Sequence, residues 1–416
     1  MAQVALSIVV LIGAGLLVRT LHNLHNLNPG FDTRSILLLG LNPTAAGYTA
    51  QKTAQLYSDL QQRFAALPGV ISASYSADAL LSGNHSSDDV HLDGAPPKSN
   101  VSVEWLAVGL DFFSTMRIPM LAGRTFTPAD FASAAATNAA VTAAADAPAN
   151  ATRPSGPLSV NQSEAQAAPV PVIINESFAR EFFPNQDPVG KHVGNAQEDE
   201  PPTGPQPGYL IVGIAGNTKY NNLRVEIEPT MYLPQVGNSA HFELRTTADP
   251  LALVKAVNGV VSSVDDNLPL FDVRTQTKQI EQTLFLDRLV SQISSAFALL
   301  ALVLACIGLY GLLSYEVTRR TRELGIRMAL GAQRRDLLRL VVGQGVLLVL
   351  IGAAIGIAAA IGLTRFMSTI LYGVHANDPL TFAGVAILLT LVALAACYIP
   401  ARRAMRVDPI IALRYE

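Results

Sequence analysis

The sequence predicts a helical membrane protein with four transmembrane helices and a large α+β extracytoplasmic domain inserted between the first and second. Three observations lead there. Charged residues make up only 15% of the 416-residue chain, and mean hydropathy is +0.32; a soluble domain carries about 25% charge. The deficit is concentrated, because residues 1–18, 289–315, 340–364 and 379–401 contain no Asp, Glu, Lys or Arg. Between the first two of these runs lies a long segment of ordinary polarity with strand and helix periodicities.

An uncharged apolar run of about 20 residues can cross the hydrocarbon core as a helix. Each charge at a helix centre costs about 2.5–3.5 kcal/mol on insertion scales. The competing reading is a buried helix of a soluble protein, and three runs of 23 residues or more argue against it. The first run starts at Met1. A cleaved signal peptide needs a basic leading region and a small-residue cleavage site. Here no Lys or Arg precedes the run, and it ends in Arg19-Thr20-Leu21-His22, so residues 1–21 are expected to stay as transmembrane helix 1.

Charge sets the orientation. Residues 22–288 hold 16 Lys+Arg against 26 Asp+Glu, whereas the 316–339 loop holds seven Arg against Glu316, Glu323 and Asp336. The tail adds Arg402, Arg403, Arg406 and Arg414, and the 365–378 connection has only Arg365. Arg-rich short loops stay cytoplasmic. The expected topology therefore puts both termini and the 316–339 helix inside, with residues 22–274 and 365–378 outside. Arg19, just outside the first span, runs against this rule. Cys306 and Cys397 both fall in spans, so the external domain has no disulfide framework and relies on an ordinary core.

Along the chain, Asn28-Pro29-Gly30 closes the first helical region. Residues 35–41 read as a strand. Leu56, Leu60 and Phe64 give 49–67 a helical stripe, ended by Pro68-Gly69, and 70–76 alternate as a strand. Residues 132–171 are Ala, Pro, Ser, Thr and Asn with few large apolar side chains; a disordered insertion is expected, since little burial offsets the ordering entropy. A Pro-rich loop covers 197–207. Strands follow at 170–174, 209–214 and 242–246. Asn175 is placed to cap a helix over 176–183 that Pro184 ends, and 250–264 reads as a helix after Asp249. Residues 275–315 contain no Pro and read as one continuous helix of about 60 Å, a stalk leading into the second span.

The most informative stretch is Arg319-Arg320-Thr321-Arg322-Glu323-Leu324-Gly325-Ile326-Arg327-Met328-Ala329-Leu330-Gly331-Ala332. Arg319–Glu323 and Glu323–Arg327 are spaced as i,i+4 pairs on a short helix. Gly331 is placed as its cap, and Ile326 and Leu330 form an apolar edge. Such a helix suits docking into a partner's groove, or it anchors the inner face to lipid headgroups; charge alone leaves both open.

This stretch resembles the cytoplasmic helix of the MacB/FtsX family of ABC permeases. So do Asp111-Phe112-Phe113, Ala122-Gly123-Arg124-Thr125-Phe126, Ile174-Asn175-Glu176-Ser177-Phe178-Ala179 and Asp187-Pro188-Val189-Gly190-Lys191. Val212-Gly213-Ile214, Met231-Tyr232-Leu233-Pro234 and the tail Pro400-Ala401-Arg402-Arg403-Ala404, Val407-Asp408-Pro409 and Ala412-Leu413-Arg414 continue the resemblance over nearly the whole chain. It implies a MacB-like periplasmic core domain over 22–274 and an FtsX-like permease domain over 275–416, with spans at 289–315, 340–364 and 379–401. It also implies that Arg319, Arg322, Glu323, Gly325, Ile326, Arg327, Met328, Ala329, Leu330 and Gly331 meet a cytoplasmic ABC ATPase subunit, which binds the ATP. This chain is expected to hold no cofactor and no nucleic acid.

A second permease unit, as homodimer or pseudo-dimer, and a periplasmic adaptor are further implied partners, in a multi-pass protein of the bacterial inner membrane. Family members are often doubled, so the chain is expected to be one half of such a permease or a shortened form of one. Gly352 and Gly356 form a G-x-x-x-G pair suited to helix packing. An FtsX-like regulator of a cell-wall hydrolase shares this architecture, as does a tethered sensor. A G-x-x-x-x-G-K-[ST] phosphate loop and a G-x-S-x-G elbow are absent from the sequence. Leu81-Ser82-Gly83 and the group His85, Asp88, Asp89 and His91 read as chance similarity and a solvated turn.

Overall fold

Between the first apolar run and the second, β-branched and aromatic residues alternate in short runs set off by Gly, Pro and Asn, a pattern that favours strands. In the computed structural model these runs form, among the described residues, eleven strands of a single hydrogen-bonded network. The structure describes residues 2–92, 101–145, 169–195, 208–236, 240–319, 334–366 and 378–404. Two compact units emerge, Asn28–Thr283 and, separately, Met1–Leu27 with Leu284–Glu416.

In the first unit the strands are β1 (Ile36–Leu41), β2 (Val70–Ser76), β3 (Ser86–Leu92), β4 (Val101–Val108), β5 (Met120–Gly123) and β6 (Val170–Asn175). They continue with β7 (His192–Asn195), β8 (Tyr209–Ala215), β9 (Thr230–Pro234), β10 (Ala240–Thr246) and β11 (Phe271–Thr275). The helices are α2 (Ala50–Ala65), α3 (Phe112–Met116), α4 (Pro128–Ala145), α5 (Glu176–Phe182), α6 (Val254–Val264) and α7 (Gln276–Thr283).

The network has two parts. β11, β1, β10 and β2 form an antiparallel sheet. One face of it packs Leu37, Leu39, Phe242 and Leu244 against Tyr57, Leu60 and Phe64 of α2 and Val257 and Val261 of α6. The helical stripe read at Leu56, Leu60 and Phe64 is thus the buried face of α2. The second part closes on itself. β4 pairs with β3, β3 with β7, β7 with β8, β8 with β6, β6 with β9, and β9 returns in parallel to β4. Ring closure removes free strand edges. All six strands contribute to one apolar cluster, among them Val90, Val103, Val172, Val193, Ile211 and Met231.

Local signals hold where they depend only on neighbours. The Asn175 side chain accepts from the Phe178 N–H at 2.8 Å and caps α5. Asp249 accepts from the Leu251 N–H at 3.1 Å, opening a 3-10 turn, Pro250–Leu253, that leads into α6. The quoted motif residues also meet in space: Phe113 and Tyr232 stack edge to face with centroids 5.1 Å apart.

Two expectations are corrected. The insertion expected to be disordered from 132 is helical through Ala145 as part of α4; the rest of it, 146–168, and most of the Pro-rich 197–207 loop lie outside the described residues. Alanine is the best helix former, and Ala134 and Thr137 supply a small buried face. The single helix expected over 275–315 is broken. Thr275 ends β11, and its hydroxyl accepts from the Lys278 N–H at 3.1 Å at the start of α7; α8 (Phe285–Arg319) begins only after Leu284. No Pro or Gly lies at the interruption.

The second unit contains α1 (Ala2–His25), α8, α9 (Arg334–Phe366) and α10 (Pro379–Ala404). Among the described residues Ala2–His25, Phe285–Glu316 and Pro379–Ala396 are long and apolar enough to cross a membrane, while the apolar part of α9 found there, Val349–Thr364, is shorter.

Candidate coupling site

In the helical unit, α1 is the most enclosed element. Ile8, Ile12 and Leu16 are fully buried among Leu309, Val349, Ala360 and Leu389 of the other three helices. Small residues let the backbones approach. Gly352 and Gly356 are both buried on α9, and a Cβ built on Gly356 would stand 2.8 Å from the Ala5 carbonyl oxygen and the Ile8 Cβ. Uncharged polar side chains add interhelical bonds: the Gln3 amide donates to Leu304 O at 2.6 Å, and the Ser7 hydroxyl lies 3.1 Å from Ala301 O.

At the carboxyl-terminal end of α1, the Arg19 guanidinium pairs with the Asp378 carboxylate. Asp378 precedes α10 and caps it: Oδ2 accepts from the Thr381 N–H at 2.9 Å and from the Thr381 hydroxyl at 2.6 Å. One turn before Arg19, a Cβ on Gly15 would meet Thr381 Cγ2 at 2.9 Å.

In the α+β unit, the segment after Asn28 is gripped by Arg245 of β10, a nearly fully buried side chain. Its Nε donates to Thr115 O at 2.6 Å, and its terminal nitrogens donate to Arg34 O at 3.1 Å and Asp32 O at 2.9 Å. Burial pushes the Asp32 carboxyl up, but hydrogen bonds from the Arg34 side chain and backbone, with the Arg245 charge, bring it below the usual range. On the return path, α7 is tied to one turn. The Gln276 amide donates to Leu80 O at 2.9 Å, the Gln279 amide to Leu81 O at 3.2 Å and the Thr283 hydroxyl to Leu81 O at 2.9 Å. Both routes into the domain are therefore held by buried polar side chains on backbone carbonyls, which hold position because an unmade bond there is costly.

A small polar cleft of about 130 Å³ lies between β4 and the loop before β9, lined by His85, Glu104, Lys219, Tyr220, Glu226 and Glu228 among others. Burial raises the Glu104 carboxyl and the neighbouring Glu228 adds to this, while His85 opposes it. Burial lowers the Lys219 ammonium against the pull of Glu226 and Glu228, and its Nζ donates to Val225 O. Among the described residues no group of His, Cys, Asp and Glu is arranged to hold a metal ion. The Asn221 amide and the His85 ring, 2.9 Å apart, brace the cleft rim.

Of the residues singled out for docking, Arg319 closes α8; Arg322, Glu323, Gly325, Ile326, Arg327, Met328, Ala329, Leu330 and Gly331 lie outside the described residues. Sequence reasoning passed over Arg245, Gln276, Gln279 and Asp378. Asp378 carried a signal, an Asp three residues before a Thr at the head of an apolar run; the others carried none, because their partners are far away in sequence.

The chain combines an α+β unit with helices long and apolar enough to cross a membrane, and its residues 295–409 match the FtsX-like permease C-terminal family model. Its relatives carry the name macrolide export ATP-binding/permease protein MacB. One from Syntrophobacter fumaroxidans is 33% identical over 147 residues, 35% of this chain and 20% of the relative. One from Marinobacter nauticus is 25% identical over 268 residues, 61% of this chain and 39% of the relative. The carboxyl-terminal part of the chain thus carries the FtsX-like permease domain, and the chain is similar to these MacB proteins. The matched region spans well under half the length of either relative. The crystal structure of the periplasmic region of MacB from Actinobacillus actinomycetemcomitans aligns with a TM-score of 0.36 at 11% identity, covering 61% of this chain and 94% of that one.

Proposed function

We propose that this chain is the permease subunit of a MacB-type ABC transport system, coupling ATP hydrolysis by a separate ATPase to extracytoplasmic work such as substrate export. The observation that carries the reading is the chain path. α7, tied to the external domain by Gln276, Gln279 and Thr283, passes through a single residue into α8, and α8 ends at Arg319, where the docking sequence begins. A push on the cytoplasmic end of α8 would thus reach α7 directly along the chain.

Four spans in the bacterial inner membrane fit this path. Arg19 and Asp378 meet, so the end of α1 and the start of α10 share one membrane side, which requires an even number of crossings between them; α8 and α9 supply two. Residues 319–331 would then face the ATPase, with a second permease unit completing the pair and an adaptor outside. The 289–315, 340–364 and 379–401 runs lack charged residues, which suits a device that moves force rather than an ion.

Co-purification tests the docking role. An ATPase subunit should accompany the wild-type chain and be lost on Gly325→Trp or Arg327→Glu; retention in both variants would remove the assignment. Export into inverted vesicles, present for a transporter and absent for a regulator of an external hydrolase, separates the two uses of the architecture.

A further inference from the structure

We propose that Arg19 and Asp378 form an ion-pair clasp that fixes the carboxyl-terminal end of α1 to the amino-terminal end of α10, so that the two helix ends move as one body. The inference rests on the reading of both helices as membrane spans. Four residues build the junction. Arg19 pairs with Asp378, Asp378 caps α10 through both the N–H and the hydroxyl of Thr381, and Thr381 lies against Gly15. Gly15 and Arg19 are four residues apart and share one stripe of α1, so the closest backbone approach and the charge pair reinforce each other. A side chain at position 15 would push Thr381, and with it the cap, away from α1.

The charges explain why an arginine is placed there. Arg19 breaks the inside preference for basic residues. Asp378 retains only 11% of its side-chain exposure, and Arg19 retains 37%. A carboxylate so enclosed needs a counter-charge, and among the described residues Arg19 supplies it. Arg19 in turn gains a partner that offsets its position. One guanidinium nitrogen of Arg19 meets Oδ2 of Asp378, the same oxygen that accepts both Thr381 bonds, so the charge-assisted contact acts directly on the cap of α10.

The test uses the full chain in nanodiscs, in a background with Cys306 and Cys397 replaced by serine. Nitroxides on cysteines at Val18 and Leu380, both exposed positions, report the distance between the helix ends. A single narrow distribution is expected for the parent. Arg19→Gln and Asp378→Asn should each broaden it at least two-fold, Arg19→Lys should largely restore it, and Gly15→Leu should shift its mean outward. Asn at 378 still accepts from Thr381, so that variant retains the helix cap and isolates the charge pair. Unchanged distributions in Arg19→Gln and Asp378→Asn would overturn the clasp. Labelling of single cysteines at His22 and Asp378 from opposite membrane sides would instead overturn the membrane reading beneath it.

Discussion

Arg124 holds Asp130 in a two-pronged grip, with its guanidinium nitrogens 2.6 and 3.0 Å from the two carboxylate oxygens. The same carboxylate accepts from the Thr127 N–H at 2.7 Å and the Thr127 hydroxyl at 2.8 Å, one residue before α4 begins. Asp130 thus supplies one arm of a capping box, reaching back to the Thr127 N–H, and Arg124 adds a charged brace. It fastens the start of an alanine-rich helix whose composition alone would suggest no fixed position. Just upstream, Gly123 has φ +69°, and a Cβ there would lie 2.3 Å from Val212 O, so the turn that aims Arg124 requires glycine.

Loss of this grip should loosen α4. Asp130→Ala removes the cap and leaves Arg124 unpaired, a cost of about 1–3 kcal/mol. Hydrogen exchange in the full chain should rise first in the α4 amides. The pH sign follows from Asp130 itself: burial raises its carboxyl, but hydrogen bonds from Arg124 and Thr127 outweigh this and leave it below its ordinary value. Its contribution is present above the unfolded carboxylate range, near pH 4, and fades as pH falls through the lower folded value. Asp130→Asn should flatten that acid-side loss; an unchanged acid profile would assign it to other carboxylates.

Glu243 should act in the opposite direction. It is fully buried on β10, where burial pushes its carboxyl up to about 8, and the Ser76 hydroxyl bonds to it. The folded state then holds a proton that the unfolded chain releases near pH 4.3. Stability falls as pH rises from about 4.5 to 8, by at most about 1.4 kcal/mol per pH unit. Glu243→Gln preserves the shape and removes the titration. Melting of the full chain in detergent should therefore depend less on pH across that window in the variant, and equal slopes would show that Glu243 does not hold the proton.

The ties on α7 should govern coupling more than fold. Gln276→Ala removes a buried hydrogen bond and Thr283→Val a half-buried one, each worth about 0.5–1.5 kcal/mol. Together they should raise exchange across α7 and lower ATP-dependent export, with ATPase binding retained. Export at the wild-type rate in the double variant would show that α7 is not the point of transmission.

What the sequence made legible was what neighbours decide. The four uncharged runs, the Asn175 cap, the helix start after Asp249 and the Leu56–Leu60–Phe64 stripe depend on residues within a few positions of one another, and each appears in the structure as a helix, a cap or a buried face. The break at Leu284 was not legible, because no Pro, Gly or local turn signal marks it, and the bonds that hold α7 reach a turn some 200 residues earlier. Arg245 read as an ordinary strand residue, although its partners Asp32, Arg34 and Thr115 hold it inside. The return of β9 to β4 pairs Trp105 with Met231 in parallel, a separation that no local pattern encodes. In α4 the composition misled, because alanine lacks bulk for a core yet favours the helix it forms.

Gly356 offers the most direct measure of how closely the membrane helices must pack. Its missing side chain lets α9 lie against Ala5 and Ile8 of α1, where even a methyl group would be 2.8 Å from backbone oxygen and from the Ile8 Cβ. Neither neighbour can yield easily, because one is main chain and the other branches at Cβ on a fully buried residue. Gly356→Ala should therefore destabilise the helical unit despite alanine's better helix propensity, and Gly356→Leu should do so by about 1–3 kcal/mol, the usual range for overpacking. Gly362, which has open space around its Cβ, is the control: Gly362→Ala should be neutral or stabilising. Thermal unfolding in detergent of the three variants gives the order. A Gly356→Ala protein that melts no lower than Gly362→Ala would mean that α1 and α9 are not in close contact at this point.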